Sequence, residues 1–281
     1  MLTTAQKIVI AKIAYRLLMG ARKVVGLTYS AQVRRGGIQW VLDLREGIDI
    51  SIYLLGSFEH RTQRLYRKLI TPGDTIFDIG ANIGSHALPL ARLVGAQGKV
   101  FAFEPTDFAY RKLLENIQMN PELKSRIVAH QFILTASSQS PVPPTFFASW
   151  PLTGSDEVHD KHGGRRVSTS GAAAKTVDEV VCQESINKVN FIKLDVDGYE
   201  SFVLNGAIKT LERDHPKILL EVAPYLLLEG KLARIVNIFR QLDYIWIDAN
   251  TGQKLPLDEN QLRRLIPEGA SRNILARANA S

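Results

Sequence analysis

Apolar positions in this chain fall into short compact runs separated by longer stretches in which they recur at helical intervals. Ile76 to Ile79 and Val100 to Phe103 read as buried strands, and Ser85 to Val94 between them has the spacing of a helix. The rhythm continues with a helix over Asp107 to Asn116 and a strand over Ile127 to Leu134. After an interruption it resumes with a helix over Thr176 to Gln183, a strand over Asn190 to Leu194, a helix from Gly198 toward Glu212 and a strand over Lys217 to Val222. A helix over Lys231 to Leu242, a strand over Tyr244 to Asp248 and a short strand near Asn273 to Ala276 follow. Strands alternating with helices predict an α/β fold whose mainly parallel sheet carries helices on both faces.

Two stretches depart from this rhythm. The first 70 or so residues read as a cap region: a long helix, a break at Gly36 and Gly37, two short strands over Gln39 to Leu44 and Gly47 to Leu54, and a helix over Phe58 to Ile70. The second is 137–171, rich in Ser, Pro, Gly and charge, which reads as a loop-rich insertion in the domain spanning 71–281.

Composition narrows the class. A chain of 281 residues with 45% apolar content can build one large α/β domain with attachments. The single cysteine, Cys182, excludes an internal disulfide and a cysteine-based metal site, which makes a reducing, cytoplasmic setting the expectation. The amino-terminal apolar segment is interrupted by Lys12 and Arg16, and no apolar run approaches the roughly 20 residues of a membrane span. Net charge is +7, and no acid precedes Asp43. On a helix, Lys12, Arg16 and Lys23 share one stripe beside an apolar stripe of Val9, Ile13, Leu17 and Val24. Such a helix either packs on the domain or on a second copy of the chain, or lies on an anionic membrane surface. The aromatic residues are not interleaved with the basic ones, so nucleic acid is not an expected partner.

The candidate chemistry gathers around Phe77 to His86, FDIGANIGSH. A strand turns here into a helix through Gly80, Asn82 and Gly84, and the next strand ends on Glu104. A dinucleotide fingerprint needs three glycines, whereas this turn has two and is preceded by Asp78, which would repel a pyrophosphate but suit a cationic amino group. Glu104 is placed to accept from ribose hydroxyls. An amino-acid end at one strand and a ribose at the next describe S-adenosyl-L-methionine. An NAD(P)-dependent oxidoreductase shares the strand, turn and ribose acid but fails at the missing glycine and at Asp78. A non-catalytic cofactor-binding protein at a membrane surface is the reading from a different class.

A second cluster ends the strand near 194. Asp195 faces the same crevice, either holding the cofactor's amino group or accepting a proton from an acceptor hydroxyl. Asp197 and Glu200 have the spacing of a helix cap and equally that of substrate contacts. Acids at a helix start are more often caps than ligands, so no metal is expected. His86, at the start of the helix after the turn, is a candidate general base or simply a packed ring. Glu59 and His60 are placed to line the acceptor side, and Glu221 closes the fifth strand at the same edge, as a substrate contact or a buried hydrogen-bonded acid.

DIGANIG at 78–84, Glu104-Pro105, Asn116 in LLENI and KLDVDGYE at 193–200 together resemble the FkbM-type methyltransferases. DLREGIDISIYLLGSFE at 43–59 and ILLEVAP at 218–224 are similar to that family as well. The resemblance implies a Rossmann-like class I methyltransferase fold with seven strands, one of them antiparallel, and O-methylation of hydroxyls on sugars, polyketides or other small metabolites. Asp197 stands where the family often carries Glu, which keeps the charge and shortens the reach. The 137–171 insertion is individual to this chain.

Overall fold

The computed structural model describes residues 4–148, 151–153, 164–227 and 230–279. The cap region holds α1 (Thr4–Val24), the strands β1 (Ser30–Arg35) and β2 (Ile38–Asp43), then α2 (Gly47–Leu55) and α3 (His60–Leu69). The main domain opens with β3 (Thr75–Ile79), α4 (Ala87–Leu93), β4 (Lys99–Phe103), α5 (Asp107–Gln118), α6 (Pro121–Lys124) and β5 (Ile127–His130). Next come β6 (Phe132–Leu134), β7 (Thr145–Ala148), β8 (Arg165–Ser168), β9 (Ala173–Lys175), α7 (Val177–Gln183) and β10 (Phe191–Leu194). The chain continues through α8 (Glu200–Asn205), α9 (Ile208–Asp214), β11 (Lys217–Val222), α10 (Lys231–Gln241), β12 (Tyr244–Asp248), β13 (Lys254–Leu255), α11 (Glu259–Leu265) and β14 (Arg272–Ala278).

The central sheet runs β13-β12-β14-β11-β10-β3-β4-β5. β10, β3, β4, β5 and β11 pair in parallel, while β14 inserts antiparallel between β11 and β12. Setting aside the two-residue edge strand β13, this is a seven-stranded sheet with one reversed strand, the class I methyltransferase arrangement. The order reverses between β3 and β10, so the carboxyl ends of these two strands flank the crevice of the topological switch point.

Side chains on each strand alternate between two cores, as the period of two requires. On β4, Phe101 and Phe103 enter the core shared with α7, α8, α9 and α10, whereas Val100 and Ala102 enter the other, shared with α4, α5 and the cap hairpin. The cap is tied to that second core by two buried asparagines. Asn116 accepts from Val41 N and donates to Ile83 O, at 2.8 and 3.0 Å, and Asn120 makes both kinds of bond with the Gln39 backbone.

Three element readings are corrected. Gly47–Leu55 is a helix, and the hairpin partner of β2 lies upstream at β1, with Gly36 and Gly37 at the turn. Gly56, left-handed at φ 81°, ends the helix by donating to Ile52 O. The strand expected over Ile127 to Leu134 splits at Gln131: β5 stays in the main sheet, and β6 pairs with β9. The helix from Gly198 divides into α8 and α9 at Gly206, whose backbone lies against Thr135 O. The insertion contains a hairpin of β7 and β8, while 149–150 and 154–163 lie outside the described residues.

Candidate active site

The parity of the strands places a row of polar residues on one face at the carboxyl edge. Asp78 on β3 registers with Lys193 on β10, and Glu221 on β11 registers with Asn273 on β14. Asp195 follows Lys193 by one strand period and so joins the same row. Lys193 is the cation among them: its Nζ donates to Gly80 O at 2.9 Å and lies 3.6 Å from Asp78 and 3.5 Å from Asp195. Burial would lower its pKa, but Asp195 and Asp78 together outweigh that and raise it.

Asp78 is fully buried, and neither of its oxygens meets a hydrogen-bond donor in good geometry. Burial raises its pKa and Lys193 opposes the rise. Asp78 is thus closed off from solvent, with Lys193 as its cationic neighbour. Burial also works against the ionised form of Asp195, yet Lys193 and a hydrogen bond from Glu221 hold its pKa below the usual value. Burial and then the Asp195 charge push Glu221 well above the carboxylate range, while Ser271 Oγ donates to its Oε1. Glu221 therefore carries the proton of this pair and Asp195 the charge.

The turn after β3 is built by close packing. Gly80 (φ 80°) and Ala81 donate their N–H groups to Phe103 O, and a Cβ on Gly80 would sit 2.0 Å from Asp195 O. A Cβ on Gly84 would meet the leucines Leu88 and Leu113 at 2.4 and 2.9 Å. Gly80 is thus required by neighbouring backbone, and Gly84 by its left-handed φ of 91°. Asn82, left-handed at φ 49°, donates its N–H to Glu104 Oε2 at 2.9 Å. Glu104 Oε1 accepts from Thr106 N and Thr106 Oγ1 at 2.9 and 2.5 Å. Three of the roughly four acceptor positions on this carboxylate are filled, one by the turn and two by Thr106, which leaves one on Oε2.

On the loop after β10, Asp197 adopts a left-handed backbone (φ 47°) and is exposed at the crevice. Desolvation by the crevice walls, then the Asp195 and Glu200 charges, pull its pKa upward, an effect that solvent at this exposed position moderates. Glu200 turns back into the loop, accepting from Val196 N and Gly198 N, and burial raises it to about 7. The residue preceding α8 is Tyr199, which makes no side-chain cap, so the Asp197–Glu200 capping box does not form.

Three residues meet where the cap borders the main domain. Tyr66 OH lies 2.9 Å from His86 Nδ1, and His86 Nε2 lies 3.9 Å from Glu59 Oε2. Burial, then the Lys193 charge, lowers the His86 pKa to about 3, so the ring is neutral at physiological pH. Burial keeps the Tyr66 phenol protonated. With the phenol as donor to Nδ1, the imidazole proton resides on Nε2 and points toward Glu59. In that tautomer His86 carries a buried Nε2–H that meets no hydrogen-bond acceptor within bonding distance. Glu59 also accepts from Thr62 Oγ1 at 3.0 Å, and Thr62 Oγ1 lies 3.4 Å from Asn273 Nδ2. His60 begins α3 one residue on, with Nδ1 3.1 Å from Ser57 Oγ. The insertion packs on the loop after β10 and on the cap: Phe146 meets Tyr199 edge-on with ring centroids 4.9 Å apart, and Arg165 pairs with the buried Glu46 at 2.9 Å.

The structure brings the sequence candidates Asp195, Glu221, His86 and Glu59 into one neighbourhood and adds Lys193 and Tyr66, which sequence reasoning passes over. Lys193 carries a signal in the sequence: a lone lysine inside the apolar run FIKL, two residues before Asp195, takes the same face as that acid. Tyr66 carries none, because nothing local separates it from any aromatic of a helix core. Among the described residues no group of three His, Cys, Asp or Glu side chains could hold a metal ion.

The sequence profile of the methyltransferase FkbM domain matches residues 78–246, from the buried acid of β3 to the middle of β12. The chain belongs to the FkbM methyltransferase family. Among curated proteins it is 31% identical over 142 residues to the hexuronic acid methyltransferase AglP of Haloferax volcanii, covering 50% of this chain and 52% of that protein. It is 27% identical over 199 residues to the methyltransferase sdnD of Sordaria araneosa, covering 58% and 75% of the two chains. The chain thus spans about half the length of the archaeal relative. A solved FkbM methyltransferase from Methylobacillus flagellatus aligns with TM-score 0.45 at 16% identity over 76% of this chain and 50% of that one. An S-adenosylmethionine-dependent O-methyltransferase from Thermotoga maritima aligns with TM-score 0.43 at 13% identity, over 92% and 82%.

S-adenosylmethionine is the cofactor of this FkbM domain, and the donor set fits it. Asp78, Glu104, Asp195 and Asp197 interact with the Lys193 ammonium, Glu200 and Glu221 interact with Asp195, and the Lys231 ammonium donates to Gly198 O at 3.1 Å. Burial is the largest cause of the upward shifts of Asp78, Glu104, Asp197, Glu200 and Glu221, and neighbouring carboxylates add to it at all of these but Glu104, so acidic groups are in excess over cations here. A ligand bearing a sulfonium and an ammonium against one carboxylate relieves that excess, whereas a pyrophosphate would add to it.

Proposed function

We propose that the chain methylates a hydroxyl group of a sugar or a related small metabolite. The Asp195–Glu221 pair, ionised on one side and protonated on the other beside Glu59 and His86, carries this reading. In it, the Gly80–Gly84 backbone and the free lone pair of Glu104 hold the cofactor, with Asp195 near its amino group. When bound, S-adenosylmethionine supplies the electrophilic methyl carbon on its sulfonium.

The protein's own part is to orient the acceptor, exclude water and receive one proton. A hydroxyl held in line with the methyl carbon gains several powers of ten from positioning alone. Its proton must leave as the new C–O bond forms, and the carboxylates of Asp195 and Glu59 are the groups able to take it. His86, a neutral donor in the tautomer set by Tyr66, orients Glu59 or the acceptor oxygen, so its part is positioning rather than proton removal. Asp197 lies at the mouth as an acceptor contact, and Glu200 braces the loop that carries it.

The name of the archaeal relative points to a uronic acid as acceptor for that enzyme. An acidic sugar offers two kinds of oxygen, and the excess negative charge around Asp195 disfavours its carboxylate and favours a hydroxyl. Incubation with methyl-labelled cofactor and a panel of neutral and uronic glycosides tests this. An alkali-stable methyl ether is expected; an alkali-labile methyl ester, or label on nitrogen, would refute the hydroxyl reading.

A further inference from the structure

Exposed large apolar side chains are concentrated at one end of the chain. Of the twelve in the described residues, seven lie between Val9 and Leu27, and α2, which packs on α1, adds Leu54 and Leu55. Helix α1 is 21 residues, about 30 Å, long. Leu18 and Met19 pack against the core, and Arg22 is buried, donating to Thr28 O, Ser30 O and Tyr53 OH. That fixes which side of the helix faces the protein. The outer side presents Ile13 (54% exposed), Leu17 (73%) and Val24 (87%), with Lys12, Arg16 and Lys23 exposed in a stripe along one edge of them. A soluble monomer rarely leaves an apolar strip of this extent open.

We infer that α1 is an interfacial helix, which lays its apolar strip into the headgroup boundary of an anionic membrane while Lys12, Arg16 and Lys23 meet lipid phosphates. The charge pattern selects this occupant. Long basic side chains beside an apolar strip can bury their stems and raise their charges to the headgroups. A second copy of the chain suits the face less well. Two copies of α1 packed antiparallel about a two-fold axis would bring both basic stripes to the same edge of the contact, and no acid before Asp43 is there to offset them. No described helix is long and apolar enough to cross a membrane, so the contact is peripheral.

Co-sedimentation of the full chain with phosphatidylcholine vesicles and with mixed phosphatidylcholine–phosphatidylglycerol vesicles tests the inference. The expected result is binding to the mixed vesicles alone, weakened by salt. The triple variant K12Q, R16Q, K23Q should bind about a hundredfold more weakly. The pair Ile13→Asn and Leu17→Asn should abolish binding with an unchanged melting temperature, since both side chains are exposed. Absence of binding, binding indifferent to these substitutions, or a dimer in sedimentation velocity that Leu17→Asn dissociates would each overturn it.

Discussion

Replacing Lys193 by methionine removes the one cation between Asp78 and Asp195 while keeping most of the side-chain volume. Lys193 is 4% exposed and Asp78 is fully buried, so solvent does little to screen the loss. Breaking one side of such a buried pair costs about 3–5 kcal/mol, because the remaining carboxylate must stay charged in a poor medium or take up a proton. For a domain of this size that lowers the melting temperature by roughly 6–20 °C. Adding Asp78→Asn removes the stranded charge, so the double variant should be more stable than the single Lys193→Met. Urea unfolding of wild type, both single variants and the double would measure the coupling. The pH dependence has a definite sign. With Lys193 gone, the folded pKa of Asp78 moves further above its unfolded value, so the native state binds the additional proton. Relative to wild type, the variant should regain stability as pH falls from 7 to 5. A loss under about 1 kcal/mol, or strict additivity of the two substitutions, would show that the ion pair is not what balances this core.

Other parts of the structure are open to equally direct tests. Gly80→Ala should abolish soluble folding or cofactor binding, whereas Gly56→Ala, at a similar φ but with no atom within 4 Å of its Cβ, should cost only about 1–2 kcal/mol in denaturation; equal effects would refute the close approach to Asp195. Glu104→Ala should weaken binding of S-adenosylhomocysteine at least tenfold by calorimetry, and an unchanged affinity would remove Glu104 from the cofactor site. His86 is held to about 3 in the fold, against about 6.5 when unfolded, so between these values the unfolded chain binds the extra proton. Stability then falls with falling pH by about 1.4 kcal/mol per unit, and the gap between wild type and His86→Gln should narrow from pH 7 to 5; a constant gap would refute it. Thr176→Ala removes the bond that Glu179 N donates to Thr176 Oγ1 at 3.0 Å, leaves the one that the backbone N–H of residue 176 donates to Glu179 at 2.9 Å, and should cost about 1 kcal/mol in urea unfolding.

The sheet was readable from the sequence because each central strand is a short apolar run bounded by a turn or a helical stretch. β3, β4, β10, β11 and β12 fall within a residue of their expected places. Gly47–Leu55 misleads because Ile48, Ile50 and Ile52 alternate as in a strand, while the helix is imposed by tertiary contacts. Asp49, 1% exposed, accepts from Asp43 N and pairs with Lys112 of α5, and burying that carboxylate against a distant lysine is invisible to local periodicity. In the site, the acids at strand ends were legible because the carboxyl edge of a parallel sheet is where ligands bind. The role of the glycines was not. Their spacing suggests room for a ligand, and the atoms that need the room are Asp195 O, Leu88 and Leu113. The state of each carboxyl group was beyond reach too, since it depends on the register that brings Glu221 beside Asp195.

The break at Gln131 has a mechanical side. β6 and β9 pair in parallel over Phe132↔Ala173 to Leu134↔Lys175, and Thr135 N donates to Lys175 O, so the chain on either side of the insertion is clasped at its base. A pull on the insertion therefore meets these pairings before it reaches β5 or α7, and the main sheet and this segment are parts of one chain joined by a fastening of three residue pairs.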